Sequence, residues 1–315
     1  LSRAKKSLVS IGALSASNQI SEKGLEISRF PLNPRLGAAL LMSKEKGCLP
    51  ALALSLALIE DRSPIIHKEF NSEIVESFLS TLNVELNLDV TSDLRILLGA
   101  WAYARNEDFS VDRCKYVGIH AHRCKDAERL ALRFCKIAGL KEFSFKFPEI
   151  RDLSEVMLIA FPHHLARVKN RGTMLYESIE GFNMHVGKYS EVQSADWVIA
   201  LNLIEKPLKS KIGLEMQFVT EVEAETIKKV LNTKIEKREE VLLHPSTRMV
   251  IKRNYNQLGA IKFDIKEYES PSKEDMQKAY SEELRSGNLN LKKWDVQVER
   301  FLERVSFITK NYPDY

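Results

Sequence analysis

The chain has 315 residues, 44% of them apolar, with 47 Lys/Arg against 43 Asp/Glu and a formal charge of +4. That length can bury more than one core and supports two or three domains, and so small a net charge selects no partner by itself. Four scattered cysteines make no disulfide framework, no signal-peptide pattern opens the sequence, and the longest apolar run, Cys48 to Ile59, contains a proline and is too short to span a bilayer. A cytoplasmic protein with no membrane segment is expected, and a first residue of Leu1 instead of methionine suggests a piece of a longer chain.

Residues 1–47 read as short helices. One closes at Gly12, a second starts at the N-cap Ser21, and a third follows the corner "SRFPLNPRLGAALL", where Pro31 ends the preceding helix and Asn33 and Pro34 supply the cap and first turn of the next. Residues 48–142 have helical periodicity throughout. In "TSDLRILLGAWAYAR", Thr91 is the expected cap, and Leu94, Leu97, Leu98, Trp101 and Ala102 share one face. In "NSEIVESFLSTL", Ile74, Phe78, Leu79 and Leu82 do the same, and two further helices are expected near 112–117 and 121–138.

Beyond Glu155 the period shortens to two. Strands are expected in "TMLYES", "FNMHV", "DWVIALNLI", "KIGLEMQFV", "EVLLH", "TRMVIKR" and "LGAIKFDIKEY", with the helix "EAETIKKVL" after the third long strand. A helix between the third and fourth strands of a small Greek-key barrel is the arrangement of an OB-fold, a common binder of single-stranded nucleic acid. The remainder, 271–315, is helical again. The predicted class is therefore α+β: a partial winged-helix module (1–47), a ratchet-like helical bundle (48–142), an OB-fold-like barrel (150–270) and a C-terminal helical segment (271–315).

In that order the motifs acquire a family likeness. "SIGAL" followed by "ISEKGLEISRFPLNPRLGAALL" resembles the helicase-associated region of DEAH-box RNA helicases. "CKYVGIHAHRCKDAERLALRFCKIAG", "FPHHLARVKNRG", "SADWVIALNL", "YNQLGAIKF" and "ERFLERVSFI" look like successive landmarks of their bacterial HrpB branch. The resemblance implies a winged helix, ratchet bundle and OB-fold around an RNA channel shared with two RecA-like ATPase domains, the partners expected in the same parent chain. It also implies that the sequence begins inside the winged helix and stops short of this branch's C-terminal region. No phosphate-binding loop is present: "GFNMHVGKY", Gly181 to Tyr189, has one residue too many and a tyrosine where the hydroxyl ligand to magnesium belongs. No Asp-Glu dipeptide exists to start a DEAH box. ATP and Mg2+ are accordingly expected in the absent ATPase domains, with no cofactor in this segment and no ATPase activity of its own.

Charge is segregated. Residues 1–47 hold eight basic and three acidic side chains, 48–112 four and eleven, and 113–141 eight and two. Lys125, Arg129, Arg133 and Lys136 fall at i, i+4, i+8 and i+11, one stripe along a helix at about 100 degrees per residue. Such a stripe can follow a phosphate backbone or be an ordinary solvated face. Arg167, Lys169 and Arg171 ahead of the first expected barrel strand, and Arg248, Lys252 and Arg253 later, complete the candidate contacts to single-stranded RNA. Arg35 is read as structural, held by Glu26 or a nearby carbonyl. Cys114, His120, His122 and Cys124 are zinc-type ligands, but their spacing lacks a C-x2-C pair and Cys124 continues an apolar face, so no metal site is assigned. His163-His164 lacks an H-E-x-x-H context, and no catalytic residue is assigned. The alternative function is a protein-interaction platform in which the barrel docks a regulatory partner.

Overall fold

The structure, a computed structural model, describes residues 2–60, 63–65, 91–208, 211–244, 246–247, 249–268, 271–289 and 296–311. The helix expected around Ile74, Phe78, Leu79 and Leu82, and the candidate contact Arg248, lie outside the described residues. The chain divides into two compact units, Leu1–Ile235 with Gly259–Ile261, and Glu236–Leu258 with Lys262–Tyr315.

The first unit opens with α1 (Ser2–Ser10), α2 (Glu22–Ser28) and α3 (Pro34–Glu45). Gly12, at φ +76°, ends α1 in a backbone conformation that disfavours any side chain. Ser21 then caps α2, accepting from Gly24 N at 2.9 Å while its hydroxyl donates to Gly12 O at 2.5 Å. A Cβ on Gly24 would lie 2.1 Å from Ala13 O, so only glycine lets this turn press against the helix. Ile11, Ala13, Ile27 and Ala38 form the small core beneath.

The proline corner works as its sequence implies. Asn33 Oδ1 accepts from Arg35 N at 3.0 Å, and Pro34 takes the first helical position, where a missing N–H costs nothing. Its consequence is the placement of Arg35, whose guanidinium donates to Ala160 O at 2.5 Å and to Ser7 Oγ at 3.1 Å. Burial pulls the Arg35 pKa below its ordinary value. Of the two expected partners, the carbonyl is the one used, at the end of a helix 125 residues away.

α4 (Leu49–Glu60) is apolar almost all round and buried on nearly every side, as a central helix must be. It packs against α5 (Asp93–Asn106) and α7 (Ala121–Ile137), with the short α6 (Val111–Tyr116) leading into α7. Lys44 donates to Ala138 O at 2.8 Å, satisfying a carbonyl at the end of α7. The cap of α5 is Ser92, not Thr91: its hydroxyl accepts from Leu94 N at 3.2 Å and pairs with Thr220 Oγ1 at 2.7 Å. Among the described residues no helix is long and apolar enough to cross a membrane.

The helical pattern also persists longer than expected. α8 (Ile150–Ala160) runs through Glu155, and the change of period comes only after Phe161. Its segment "SEVMLIA" is a short, nearly continuous apolar run, which periodicity alone cannot assign to helix or strand. Five strands follow, β1 (Leu165–Asn170), β2 (Leu175–Ser178), β3 (Asn183–Val186), β4 (Trp197–Leu208) and β5 (Lys211–Glu221). They close into a barrel in the order β1-β2-β3-β5-β4, antiparallel except for the parallel pair β3 and β5. Ala166, Tyr176, Met184, Val198, Met216 and Val219 fill the interior, where the Tyr176 hydroxyl donates to Ala195 O at 2.9 Å.

Three expectations are corrected here. The first barrel strand is β1, so Arg167 and Lys169 lie within it instead of preceding it. The helix of "EAETIKKVL", α9 (Ala224–Val230), follows the fifth strand and does not separate the third from the fourth. The later strands β6 (Ile235–Leu243), β7 (Val250–Leu258) and β8 (Ile261–Tyr268) form a separate three-stranded sheet, not a continuation of the barrel. In the second unit α10 (Lys273–Arg285), capped by Ser272 and Asp275, packs on β7 through Ala279, and α11 (Val296–Asn311) is the last described element.

Two carboxylates fasten the first unit. Glu155 of α8, 5% exposed, pairs with Lys46 at 2.7 Å and Lys229 at 3.0 Å, joining α8 to the end of α3 and to α9. Burial pushes its pKa up, but the hydrogen bonds from Lys46 and Lys229 outweigh it and leave the carboxyl below its ordinary value. Asp93, at the start of α5, accepts from Val219 N at 2.7 Å, the Ser190 hydroxyl at 2.9 Å and Glu191 N at 3.1 Å, fixing α5 to the barrel. Burial raises it to about 6, against those three hydrogen bonds.

Arg35→Ala strands Ala160 O and should lower stability by about 2 kcal/mol, read by urea unfolding. Glu155→Gln should cost about 1–3 kcal/mol, because both lysines can turn to water, whereas Lys46→Met with Lys229→Met leaves a buried lone carboxylate and should cost about 3–5 kcal/mol. With its carboxyl pKa depressed in the fold, Glu155 contributes stability above the unfolded value of 4.5 that is lost as pH falls, and Glu155→Gln should remove that acid-limb loss. Asp93 has the opposite sign: its contribution is complete below 3.8 and is lost as pH rises through about 6. Amide exchange near Val219 should therefore quicken, beyond its intrinsic pH dependence, between pH 5 and 7.

Candidate nucleic-acid interface

α7 carries its stripe because its other face is needed for the core. Cys124, Ala127, Ala131, Phe134 and Cys135 are buried, and Lys125, Arg129, Arg133 and Lys136 are all exposed on the opposite side. Arg129 makes a 3.2 Å ion pair with Asp126, both about two-thirds exposed, a contact of little energetic weight. Nearby acidity is drawn inward: Glu128 accepts from Trp101 Nε1 at 3.0 Å. The structure thus brings the four cations onto one solvent-facing surface.

The barrel cations are differently placed. On β1, Arg167 lies with its guanidinium 5.6 Å from the ring centre of its cross-strand neighbour Trp197. Lys169 reaches Glu177 at 3.3 Å and Asn183 at 3.4 Å. Arg171, in the turn after β1, is bound to Asp196 and to Ser194 O. Two of the three are therefore partly neutralised by carboxylates, and a phosphate would have to displace them.

In the second unit this tethering is stronger. Lys252 pairs with Glu239 at 2.7 Å, and Arg253 with Glu267 at 2.6 Å and Glu240 at 3.2 Å. Glu240 also accepts from Lys262 at 2.7 Å and the Tyr255 hydroxyl at 3.2 Å. Its carboxyl, pushed up by burial, is brought below its ordinary value by those hydrogen bonds. Arg253 is 24% exposed, the posture of a sheet-fastening residue.

The zinc-type residues have structural occupations. His120 caps α7, its Nδ1 accepting from Arg123 N at 3.4 Å, and burial lowers its pKa. Cys114 and Cys124 are buried, and burial pushes the Cys124 thiol up to about 12. Among the described residues no cluster of His, Cys, Asp or Glu has the geometry to hold a metal. His164 Nδ1 donates to Ala200 O at 3.0 Å, and its ring stacks on Phe161.

Sequence reasoning passed over the aromatics. Tyr189 at 59% exposure with Lys188 Nζ 5.6 Å from its ring, and Tyr116 at 84% exposure, are surfaces a base can stack on, whereas Trp197 beside Arg167 is buried in the barrel wall. The signal for Trp197 is its register opposite Arg167, legible only once β1 is known to be a strand.

No protein-family model matches the chain. A curated relative, the probable ATP-dependent RNA helicase DHR1 of Saccharomyces cerevisiae, is 38% identical over 68 residues, 22% of this chain and 5% of its own. Two crystal structures of Escherichia coli HrpB, described as a DExH-box NTPase and as a DEAH/RHA helicase, match 99% of this chain, with TM-scores of 0.54 and 0.52 and 15% and 16% identity. The chain spans 32% of the length of each. At that identity the likeness to HrpB is one of fold. In fold, the chain resembles HrpB, a DEAH-box helicase, over 99% of its length.

Proposed function

We propose that this chain is the nucleic-acid-binding, helicase-associated segment of an HrpB-like ATP-dependent RNA helicase. It grips single-stranded RNA and passes the motion of RecA-like ATPase domains of the parent chain into translocation of the strand. The observation that carries this reading is the fold likeness to HrpB over 99% of the chain, which makes the whole segment, and not one motif, the unit of comparison. In this reading α1 to α3 act as a partial winged helix within 1–47 and the helices of 48–142 as a ratchet-like bundle. The barrel serves as an OB-type module within 150–270, and 271–315 begins a C-terminal helical region. The closed five-stranded order with β3 parallel to β5 supports the OB-type assignment. ATP and Mg2+ act in the ATPase domains, no metal or catalytic residue acts here, and the parent works in the cytoplasm.

Within the candidate surface, α7 is the stronger grip. Its four cations face solvent with one weak internal pair, whereas Lys169, Arg171, Lys252 and Arg253 are held by carboxylates. Each phosphate contact on a single strand contributes about 0.7 to the slope of log affinity against log salt. Replacing Lys125, Arg129, Arg133 and Lys136 by alanine should flatten that slope by about two to three units, and replacing Arg167, Lys169 and Arg171 by about one. Fluorescence anisotropy with a homopolymeric RNA at several salt concentrations measures both, with circular dichroism to check folding. An unchanged slope in the α7 variant assigns the stripe to plain solvated surface, and no binding at low salt favours a protein-docking platform.

A further inference from the structure

Beside the first turn of α5 the barrel wall contains a cavity of about 390 Å3, between the loop after β3 and residues 215–218 of β5. Its floor is apolar, from Ile96, Leu97 and Met216, all buried. At its rim Tyr189 stands 59% exposed, with Lys188 over its ring. Glu191 lines the same cavity half-buried, and among the described residues its side chain makes no hydrogen bond or ion pair. The other carboxylates there are occupied: Asp93 takes three hydrogen bonds, and Glu215 pairs with Lys206 at 2.5 Å. Phe218 in the same wall has φ +54° inside a strand, an unfavourable conformation for an aromatic residue, held by the Asp93 bond to the next amide.

We propose that this cavity receives one unstacked nucleobase of the bound RNA, with guanine preferred. The choice of a nucleobase rests on the RNA-binding reading; the preference comes from the side chains. An apolar floor with an aromatic at the rim suits a flat ring, and the volume falls in the range of small-ligand sites. A partly desolvated carboxylate with no donor among the described residues selects the ring that supplies most donors on one edge. Guanine presents N1–H and N2–H side by side, a fork that both oxygens of Glu191 can accept. Uracil offers one N–H flanked by two carbonyl oxygens that repel the carboxylate. Lys188, outside the ring of Tyr189, is placed to meet the attached phosphate.

The test is a titration of the 315-residue chain with GMP, CMP and UMP, followed by amide NMR. GMP should bind at least about tenfold tighter than UMP, the scale of one bidentate base contact. Its shifts should concentrate at residues 187–191 and 215–218. Glu191→Gln should shrink the preference to within about twofold, and Tyr189→Ala, at an exposed position, should weaken all three nucleotides if the first variant does not fold. Equal binding of GMP and UMP, or shifts confined to α7 and β1, overturns the pocket. If homopolymeric RNA still binds in that case, the RNA grip stands without it; if RNA fails to bind as well, both readings fall.

Discussion

The first unit depends on one buried carboxylate. Glu155 sits on α8 between the end of the opening helical module and the helix that follows the barrel, and its two lysines come from those two elements. A charge in that position is costly unless both partners arrive together, so the pair acts as a condition on assembly: α3 and α9 must each be in place for α8 to be stable. Arg35 makes the same junction from the other side, binding the last carbonyl of α8 where the chain turns into β1. The proline corner therefore matters less as a turn than as the device that aims one guanidinium at one helix end.

A second joint, at Asp93, carries the barrel. Its three hydrogen bonds, together with Ser92 to Thr220, tie the helical bundle to β5 and to the loop after β3. A bundle and barrel so fastened would move as one body, which suits a part that transmits motion more than one that generates it. The electrostatic picture agrees. Cations of the barrel and of the separate sheet are mostly spent on cross-strand carboxylates that hold the strands, while those of α7 project from a helix whose apolar face is already satisfied by the core. Charge that no longer serves folding is the charge available to a polyanion.

What could be read from the sequence was local. The caps at Ser21 and Asn33, the glycine stop at Gly12, and the faces of α5 and α7 all follow from side-chain chemistry within a few residues. What could not be read depends on distant pairs. β1 was hidden because "LARVKN" carries two cations in six residues, and it is a strand only because β2 and β4 supply its ladders. The barrel's limits were misplaced because seven strand-like segments look alike until pairing divides them into two sheets. The candidate cations of the barrel and the separate sheet are plain in the sequence as basic residues, but their partners, Asp196, Glu177, Glu239 and Glu267, lie across a strand or a loop and leave no local mark. Glu191 and Tyr189 stand close in sequence, yet their significance appears only with the cavity behind them.

The central claim, that this segment holds the RNA strand, is most directly tested by photocrosslinking 4-thiouridine RNA to the protein and locating the modified peptides by mass spectrometry. Crosslinks within Ala121–Ile137 and along the barrel from Leu165 to Leu208 are predicted, diminishing with added salt. Crosslinks absent from both regions, with the RNA bound elsewhere or not at all, would contradict it.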